Sequence, residues 1–332
     1  MTTLTRAKTL LVAMLFAALM LAACGGDDDA DKGGSNSGKP AARDKAQDKK
    51  DIARLIKQGF GPNEEARSGR LDGTIDLEVK GVPRYKGPIE VTANGGFELA
   101  KGSDVPDFKI DVGLVLNDNA IGGELVVADS QAYIQLGDTG YRLPPDISGK
   151  VIAPAAALDN GLAKTAGMFF IRPDRWQKNG YIVGTENIKG VETEHATAQI
   201  NSGAFFEDVA RLVRLLTALR VTEAVGLPQK ITPAQRGALS RSVASSKGDV
   251  WLGKEDHVVR RARIEGKLKV ARKDRRLLGG MTSATLVAEV NIDRVGQPQN
   301  LRAPGQLGKY DDLQLVLDAL GEAIRRDLRG GK

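Results

Sequence analysis

The feature that most constrains the fold is a series of short segments in which apolar and polar residues alternate. In the clearest segment every second residue is large and apolar: Phe108, Ile110, Val112, Leu114 and Leu116. The residues between them include Lys109 and Asp111. This period of two predicts β-strands with one face in the interior and the other in water.

Similar segments recur from Ile75 to Leu143, and the short turn signals between them favour antiparallel strands over crossover units. A turn is predicted at Asn94-Gly95-Gly96, between two alternating segments. Further strands are predicted in a second part of the chain, at residues 181–183, 194–200, 249–252, 258–270 and 282–292.

Strands with one apolar face need a cover, and helical patterns supply it. Apolar residues recur at helical spacing in one stretch, comprising Phe205, Phe206, Val209, Leu212, Val213, Leu216 and Leu219. Thr232 as cap and Pro233 in the first turn predict a second helix over residues 234–245.

Helices are also expected near the two ends of this region, a short one at residues 51–57 and a C-terminal one over residues 311–328. Residues 153–170 are apolar and rich in alanine, which suits a helix or a loop. The order of strands, helices, strands and helix predicts one α+β domain over residues 51–332.

The composition excludes several classes of site. A single cysteine rules out internal disulfides and cysteine-based zinc sites, and two histidines rule out a histidine-rich metal centre, so we expect neither a metal nor a cofactor. The net charge of +6 is mild, the basic residues are scattered and aromatics make up 5% of the chain. Nucleic acid is therefore not expected as a partner.

The N-terminal segment has the organisation of a signal peptide. Arg6 and Lys8 precede an apolar core over residues 9–21, which is shorter than the roughly 20 residues that a membrane span needs. The junction Leu21-Ala22-Ala23-Cys24 resembles the lipobox of bacterial lipoproteins. The resemblance implies a lipoprotein signal peptide over residues 1–23, cleavage before Cys24, and a diacylglyceryl group on the Cys24 sulfur.

Residues 24–50 are expected to form a flexible tether, because Gly, Ser, Asp and Lys bury too little apolar surface to offset the ordering entropy. The segment from Gly33 to Lys39 matches most of a phosphate-binding loop. Pro40 stands where that loop needs Ser or Thr, and no strand precedes it, so we interpret the match as solvated linker.

Two hairpin motifs carry a wider resemblance. The segment from Val183 to His195, with Gly184, Glu186, Gly190 and Thr193, is similar to a hairpin of the LppX/LprG lipoproteins of actinobacteria. The segment from Asp249 to Arg261, with Trp251 and Arg260, resembles a second hairpin of that family, and residues 295–304 resemble its ending. The chain continues past Pro304, which departs from the family pattern.

The resemblance implies a strongly curved antiparallel sheet, or half-barrel, wrapped over helices with an apolar cavity between them, as in the LolA and LolB carriers. In the LppX/LprG family the cavity holds acyl chains of envelope lipids, lipoglycans or triacylglycerol. The apolar positions expected to face the interior, as cavity or as plain core, are Ile110, Val112, Leu114, Leu116, Leu125, Val127, Phe205, Val209, Leu212 and Leu216.

Sequence signals of a catalytic site are weak, and we do not expect the protein to be an enzyme. The chain has no G-x-S-x-G elbow, and His195 and His257 are expected to be solvent-facing residues of strands or hairpins. A basic cluster suits either anionic head groups or a solvated outer face, and it comprises Arg260, Arg261, Arg263, Arg272, Lys273, Arg275 and Arg276.

The sequence therefore predicts a lipoprotein anchored through Cys24 on the extracytoplasmic face of the cell membrane. Its expected partner is an acyl lipid or lipoglycan that it carries or presents across the envelope, and the sequence identifies no export-machinery partner. The alternative is a structural or regulatory envelope lipoprotein that binds a wall or protein partner. The alternative predicts a filled core and an exposed surface patch, whereas the carrier predicts an unfilled apolar cavity between sheet and helices.

Overall fold

We describe the protein from a computed structural model. The structure describes residues 45–83, 87–116, 119–154, 161–168, 173–218 and 230–330. Cys24, the lipobox and the predicted signal peptide lie outside these residues and remain predictions.

Twelve strands form one sheet. The first six are β1 (Ser68–Lys80), β2 (Ile89–Glu98), β3 (Asp107–Leu116), β4 (Asn119–Ala128), β5 (Gln131–Leu136) and β6 (Thr139–Arg142). The other six are β7 (Gln177–Ile188), β8 (Val191–Ile200), β9 (Val243–Gly253), β10 (Val259–Lys269), β11 (Ser283–Asp293) and the short β12 (Leu307–Gly308).

The described helices lie at the two ends of the domain and, along the chain, between β6 and β7, between β8 and β9, and between β10 and β11. They are α1 (Lys45–Phe60), α2 (Pro145–Ile152), α3 (Gly161–Met168), α4 (Pro173–Trp176), α5 (Ser202–Ala218), α6 (Pro233–Ser242), α7 (Arg272–Arg275) and α8 (Tyr310–Gly330). None of these helices is both long and apolar enough to cross a membrane.

The strand order is β12-β6-β5-β4-β3-β2-β1-β11-β10-β9-β8-β7. Two antiparallel meanders, β1 to β6 and β7 to β11, are joined where β1 pairs with β11. All pairs are antiparallel except β12 with β6, and the sheet does not close, because β12 and β7 are its two edges. The predicted α+β architecture, with one antiparallel sheet in an open half-barrel over helices, is confirmed.

The predicted turn at Asn94-Gly95-Gly96 is wrong, because these residues lie inside the continuous strand β2. Gly95 pairs with Leu71 on one side and Ile110 on the other. A Cβ atom on Gly95 would lie 2.0 Å from the backbone oxygen of Lys109. The glycine therefore marks a close approach of two backbones rather than a reversal of the chain.

Several predicted elements occur with different ends. The helix expected at residues 51–57 extends from Lys45 to Phe60, and the C-terminal helix extends from Tyr310 to Gly330. The helix expected over residues 234–245 ends at Ser242, where β9 begins. Within residues 153–170 the structure describes α3, whereas residues 155–160 and 169–170 lie outside the described part.

The predicted start of α6 is confirmed in detail. The Thr232 hydroxyl accepts a hydrogen bond from the Gln235 backbone N–H, and the Gln235 side chain accepts one from the Thr232 N–H. Pro233 occupies the first turn, where its missing N–H needs no partner. This reciprocal capping box fixes where the helix begins.

The helices cover one face of the sheet, which we call the inner face. Apolar side chains of α1, α2, α3, α5, α6 and α8 belong to the same buried cluster as alternate residues of the strands. Within this layer the Trp176 indole N–H donates to Asp208 of α5 at 3.0 Å, and Arg175 and Arg211 pair with the same carboxylate. These contacts fix α5 to the segment that enters β7.

We predict that Gly95→Ala destabilises the protein by about 2–4 kcal/mol, because the new methyl group meets backbone that cannot move aside. Gly96→Ala is the matched control, since its Cβ would lie 3.0 Å from the flexible Gln299 side chain. The Gly96→Ala substitution should lower the free energy of unfolding by no more than about 1 kcal/mol. Urea unfolding of both variants measures the difference, and equal stabilities would contradict the close approach at Gly95.

Candidate functional site

The predicted interior residues form a buried apolar wall. The members with described side chains all belong to the cluster between the sheet and α5, and they are Ile110, Val112, Leu114, Leu125, Val127, Phe205 and Val209. Leu116 ends β3, and Leu212 and Leu216 lie in α5, but the side chains of these three are outside the described part. The tight burial of this wall is what a packed core also shows.

A different part of the inner face is only partly covered by the helices. We call it the trough, and it consists of the half-buried residues Leu71, Gly73, Ile75, Ala93, Ala262, Ile264 and Val290. These residues come from β1, β2, β10 and β11, the central strands of the sheet.

Strand register brings the trough residues side by side. Gly73 pairs with Val290 on one side and with Ala93 on the other, and Val290 pairs with Ala262. Four adjacent strands therefore present small or medium side chains at one level of the inner face. Because neighbouring strands lie about 4.8 Å apart, this level is roughly 14 Å wide.

Gly73 is the trough residue that has no side chain. A Cβ atom built there would have as its three nearest neighbours the Ala93 carbonyl oxygen at 3.4 Å, the Glu289 carbonyl oxygen at 3.7 Å and the Ala93 Cβ at 3.8 Å. All three atoms belong to the flanking strands, so no helix atom lies closer to this Cβ than 3.8 Å. The missing side chain leaves space above the sheet.

The trough was not predicted from the sequence, because the largest apolar residues lie in β3, β4 and α5. A signal was present in β1, where Ile75, Leu77 and Val79 alternate with charged residues and Gly73 continues the same register. The packing of the helices on the sheet decides which inner-face residues stay half-buried. Alternation within a strand does not contain that information.

The outer face holds a polar network around His195, and the expectation that this residue faces solvent is wrong. His195 is 7% exposed and stacks on Trp251, with ring centroids 4.3 Å apart. Its Nδ1 lies 2.7 Å from Glu186 Oε1, and its Nε2 lies 2.9 Å from Asp249 Oδ1. Each ring nitrogen therefore faces a carboxylate oxygen, and the two carboxylates hold the imidazole from both sides.

The network joins the two hairpin motifs that were recognised in the sequence. The Trp251 indole N–H donates to Glu186 Oε2 at 2.9 Å, and the Arg261 guanidinium lies over the Trp251 ring, 4.9 Å from its centroid. Glu186 and His195 belong to the first motif, and Trp251 and Arg261 to the second. The motif residues thus stabilise the pairing of β7, β8, β9 and β10 from outside.

The network lowers the pKa of two carboxyl groups, those of Glu186 and Asp249. The hydrogen bond from the Trp251 indole is the largest influence on Glu186, and together with His195 it holds the pKa of Glu186 below its ordinary value. Burial raises the pKa of Asp249, but hydrogen bonds from Lys247, His195 and Thr197 outweigh that effect and leave the pKa lowered. Both carboxylates are therefore stabilised in their charged form.

This arrangement is suited to stability rather than to acid–base chemistry. A general base needs a ring nitrogen within reach of a substrate, and both nitrogens of His195 already contact carboxylates. His257, the other histidine, is half-buried and contacts the Gln58 amide through its Nε2. Among the described residues, no three His, Cys, Asp or Glu side chains are grouped to hold a metal ion.

A polar cleft lies at the end of the sheet where β2 finishes. Its volume is about 290 Å³, and its lining includes Glu98, Asp107, Asn300 and Arg302. Burial raises the pKa of Asp107, whose Oδ1 accepts a hydrogen bond from the Asp129 N–H. The charged lining gives this cleft little of the apolar surface that an alkyl chain needs.

Comparison with known proteins gives structural neighbours alone, since no protein-family model and no curated protein matches the sequence. LprF from Mycobacterium bovis is 13% identical, with a TM-score of 0.40 over 78% of this chain and 96% of that chain. The lipoprotein LppX from Mycobacterium tuberculosis is 15% identical, with a TM-score of 0.37 over 76% and 99%.

A LolA superfamily protein from Nitrosomonas europaea is 8% identical, with a TM-score of 0.19 over 74% of this chain and 92% of that chain. LprF and LppX are members of the LppX/LprG family that the two hairpin motifs resemble.

We predict a pH-dependent loss of stability in Glu186→Gln. A carboxylate with a lowered folded-state pKa stabilises the protein above its unfolded pKa, and that contribution disappears as the pH falls through the folded value. The wild-type protein should therefore exceed Glu186→Gln in unfolding free energy at neutral pH. The difference should shrink below about pH 4.5.

Urea unfolding at a series of pH values measures this difference. Glu90→Gln is the control, because Glu90 is an exposed residue on the outer face of β2, outside the network. A difference for Glu186→Gln that stays constant with pH would show that the Glu186 charge does not stabilise the fold.

Proposed function

We propose that this protein is an envelope lipoprotein that binds acyl chains of lipids or lipoglycans on the inner face of its sheet and carries or presents them across the envelope. The observation that carries the proposal is the trough, an apolar surface in the interior of the fold that the helices leave half-buried. Folded proteins cover such surface unless it serves a partner, and an alkyl chain is a partner of matching chemistry.

Burial of alkyl groups provides the binding energy without polar chemistry. Each methylene transferred from water contributes about 0.8 kcal/mol, so a chain that places several methylenes along the trough binds firmly. The buried wall of β3, β4 and α5 residues adjoins the trough in the same apolar cluster. An acyl chain that enters the trough thus continues onto apolar surface.

Binding rather than catalysis follows from the same features. The trough residues are aliphatic and carry no group that transfers a proton or attacks a carbonyl. The alternative of a structural or regulatory lipoprotein predicted a filled interior, and the half-buried inner-face residues Leu71, Ile75 and Ile264 favour the lipid carrier over it.

The proposed location follows from the N-terminal sequence. The lipobox at residues 21–24 places a lipid anchor on Cys24 and the folded domain on the extracytoplasmic face of the cell membrane. A single acyl chain holds a protein only marginally, so the two or more chains of a lipoprotein anchor are required for stable attachment.

We expect Gly73→Leu to reduce lipid binding by about tenfold. The leucine side chain occupies the space above the sheet and displaces about two methylenes of a bound chain, each of which contributes about 0.8 kcal/mol. The experiment purifies the Cys24→Ala chain, which lacks the anchor site, and quantifies co-purifying lipid by mass spectrometry after solvent extraction.

Thr74→Leu is the matched control, because Thr74 is the next residue of β1 and is exposed on the outer face. It should leave bound lipid unchanged, and thermal unfolding of both variants checks that the fold is retained. Equal lipid in the two variants would remove the trough from the proposal. A wild-type chain without lipid would remove the carrier function itself.

The anchor has its own test. In a bacterial host with lipoprotein-processing enzymes, the wild-type chain should incorporate labelled palmitate, and Cys24→Ala should abolish the label because the chain has no other cysteine. Label that persists in Cys24→Ala would contradict the lipobox interpretation.

A further inference from the structure

The connection between β10 and β11, residues 270–282, carries a basic and apolar protrusion. It contains α7, and Arg272, Lys273 and Arg276 are exposed on it. Leu277, the residue after these cations, is 38% exposed and is among the few large apolar side chains on the described surface. We call these four residues the basic tip.

The structure divides the basic cluster of the sequence into two parts. Arg261 and Arg263 pair with Glu289 across the outer face, and Arg260 pairs with Asp256. In contrast, the three cations of the basic tip form no ion pair with any residue that the structure describes.

The acidic residue within the tip does not neutralise it. Asp274 is buried, and its carboxylate accepts a hydrogen bond at 3.0 Å from Arg241 of α6. This contact fixes α7 against α6 and leaves the neighbouring cations directed to solvent. Two more exposed lysines, Lys267 and Lys269, lie at the end of β10 that leads into the tip.

The N-terminal helix begins toward the same end of the sheet. The end of α1 lies at the β9–β10 turn, where Gly59 packs against Leu252 and Val259. About two turns earlier Ile52 packs against Gly180, and Lys45 lies roughly 10 Å further along the helix. This direction leads away from the β9–β10 turn and toward the strand end at which β10 enters the tip.

We propose that the basic tip is a docking surface for anionic lipid membranes. Arg272, Lys273 and Arg276 contact the negatively charged head groups, and Leu277 enters the apolar boundary below them. Unpaired cations beside an exposed leucine provide the two components of interfacial binding, electrostatic attraction and apolar burial. A solvated face would need no exposed apolar side chain beside the charges.

Docking through the tip also orients the molecule. Lys45, the first residue that the structure describes, lies toward the end of the sheet that carries the tip, so docking through the tip and an anchor at Cys24 are compatible with one membrane surface. The inference goes beyond the proposed function, because it requires neither an acyl chain in the trough nor lipidation of Cys24. An unlipidated chain therefore tests it.

The first experiment places a reporter at the tip. In the full chain with Cys24→Ala, Leu277→Cys introduces the sole thiol, which is labelled with an environment-sensitive fluorophore. Vesicles of phosphatidylglycerol and phosphatidylcholine should shift its emission to the blue, and vesicles of phosphatidylcholine alone should not. Raised salt should reverse the shift, because it screens exposed charges.

The same probe on Glu255→Cys is the positional control, since Glu255 is exposed at the opposite end of β10. It should keep its emission unchanged in both kinds of vesicle. A shift at position 255 and none at position 277 would overturn the proposal, and so would the absence of a shift at both positions, which would leave an acidic protein as the partner of the tip.

The second experiment tests the charges by vesicle sedimentation. The triple variant Arg272→Glu, Lys273→Glu, Arg276→Glu should weaken binding to the anionic vesicles by at least about fivefold per residue, on the order of a hundredfold or more in total. The matched variant Lys101→Glu, Arg294→Glu, Arg302→Glu changes the net charge equally at exposed positions on the far end of the strands. It should retain binding within about twofold.

Equal losses in the two triple variants would show that net charge alone attracts the vesicles, which would overturn the assignment to the tip. A loss confined to the tip variant supports it. Because both experiments use vesicles and an unlipidated chain, either outcome leaves the lipid content of the trough as a separate measurement.

Discussion

The pairing of β1 with β11 is the contact on which the rest of the structure depends. It extends from Arg70 with Asp293 to Lys80 with Ser283 and joins residues more than 200 positions apart in the chain. Without this pairing, each meander would end in an additional exposed edge, and the single half-barrel sheet would not form. The trough exists only because of this pairing, since Gly73 comes from one meander and Val290 and Ala262 from the other.

The two faces of the joined sheet are stabilised by different interactions. The outer face is held by a hydrogen-bonded and stacked network in which Glu186, His195, Trp251 and Asp249 satisfy one another. The inner face is held by apolar packing, which buries Val112 and Leu125 of β3 and β4 but leaves Ile75 of β1 half-buried. The outer network contributes polar interactions that do not depend on how completely the helices cover the inner face.

Much of the fold was predictable because alternation and helical spacing are local properties. The strands, α5, the capped start of α6 and the C-terminal helix follow from them. Gly95 was misassigned because a glycine that suits a turn also suits a close approach of two strands, and only the partner Lys109 distinguishes the cases. His195 was misassigned because its burial comes from Trp251, Glu186 and Asp249, which adjoin it only after β7, β8 and β9 pair.

The sequence by itself determined that apolar and polar residues segregate to opposite faces of antiparallel strands, because side-chain direction alternates with period two along any strand. It also contains the predicted lipobox at Cys24 and the recognisable hairpins. Only the tertiary structure decided which apolar residues are core and which line an uncovered surface, and which cations are paired. Both outcomes depend on the contacts between elements distant in the chain, and a local pattern does not encode the arrangement of distant elements.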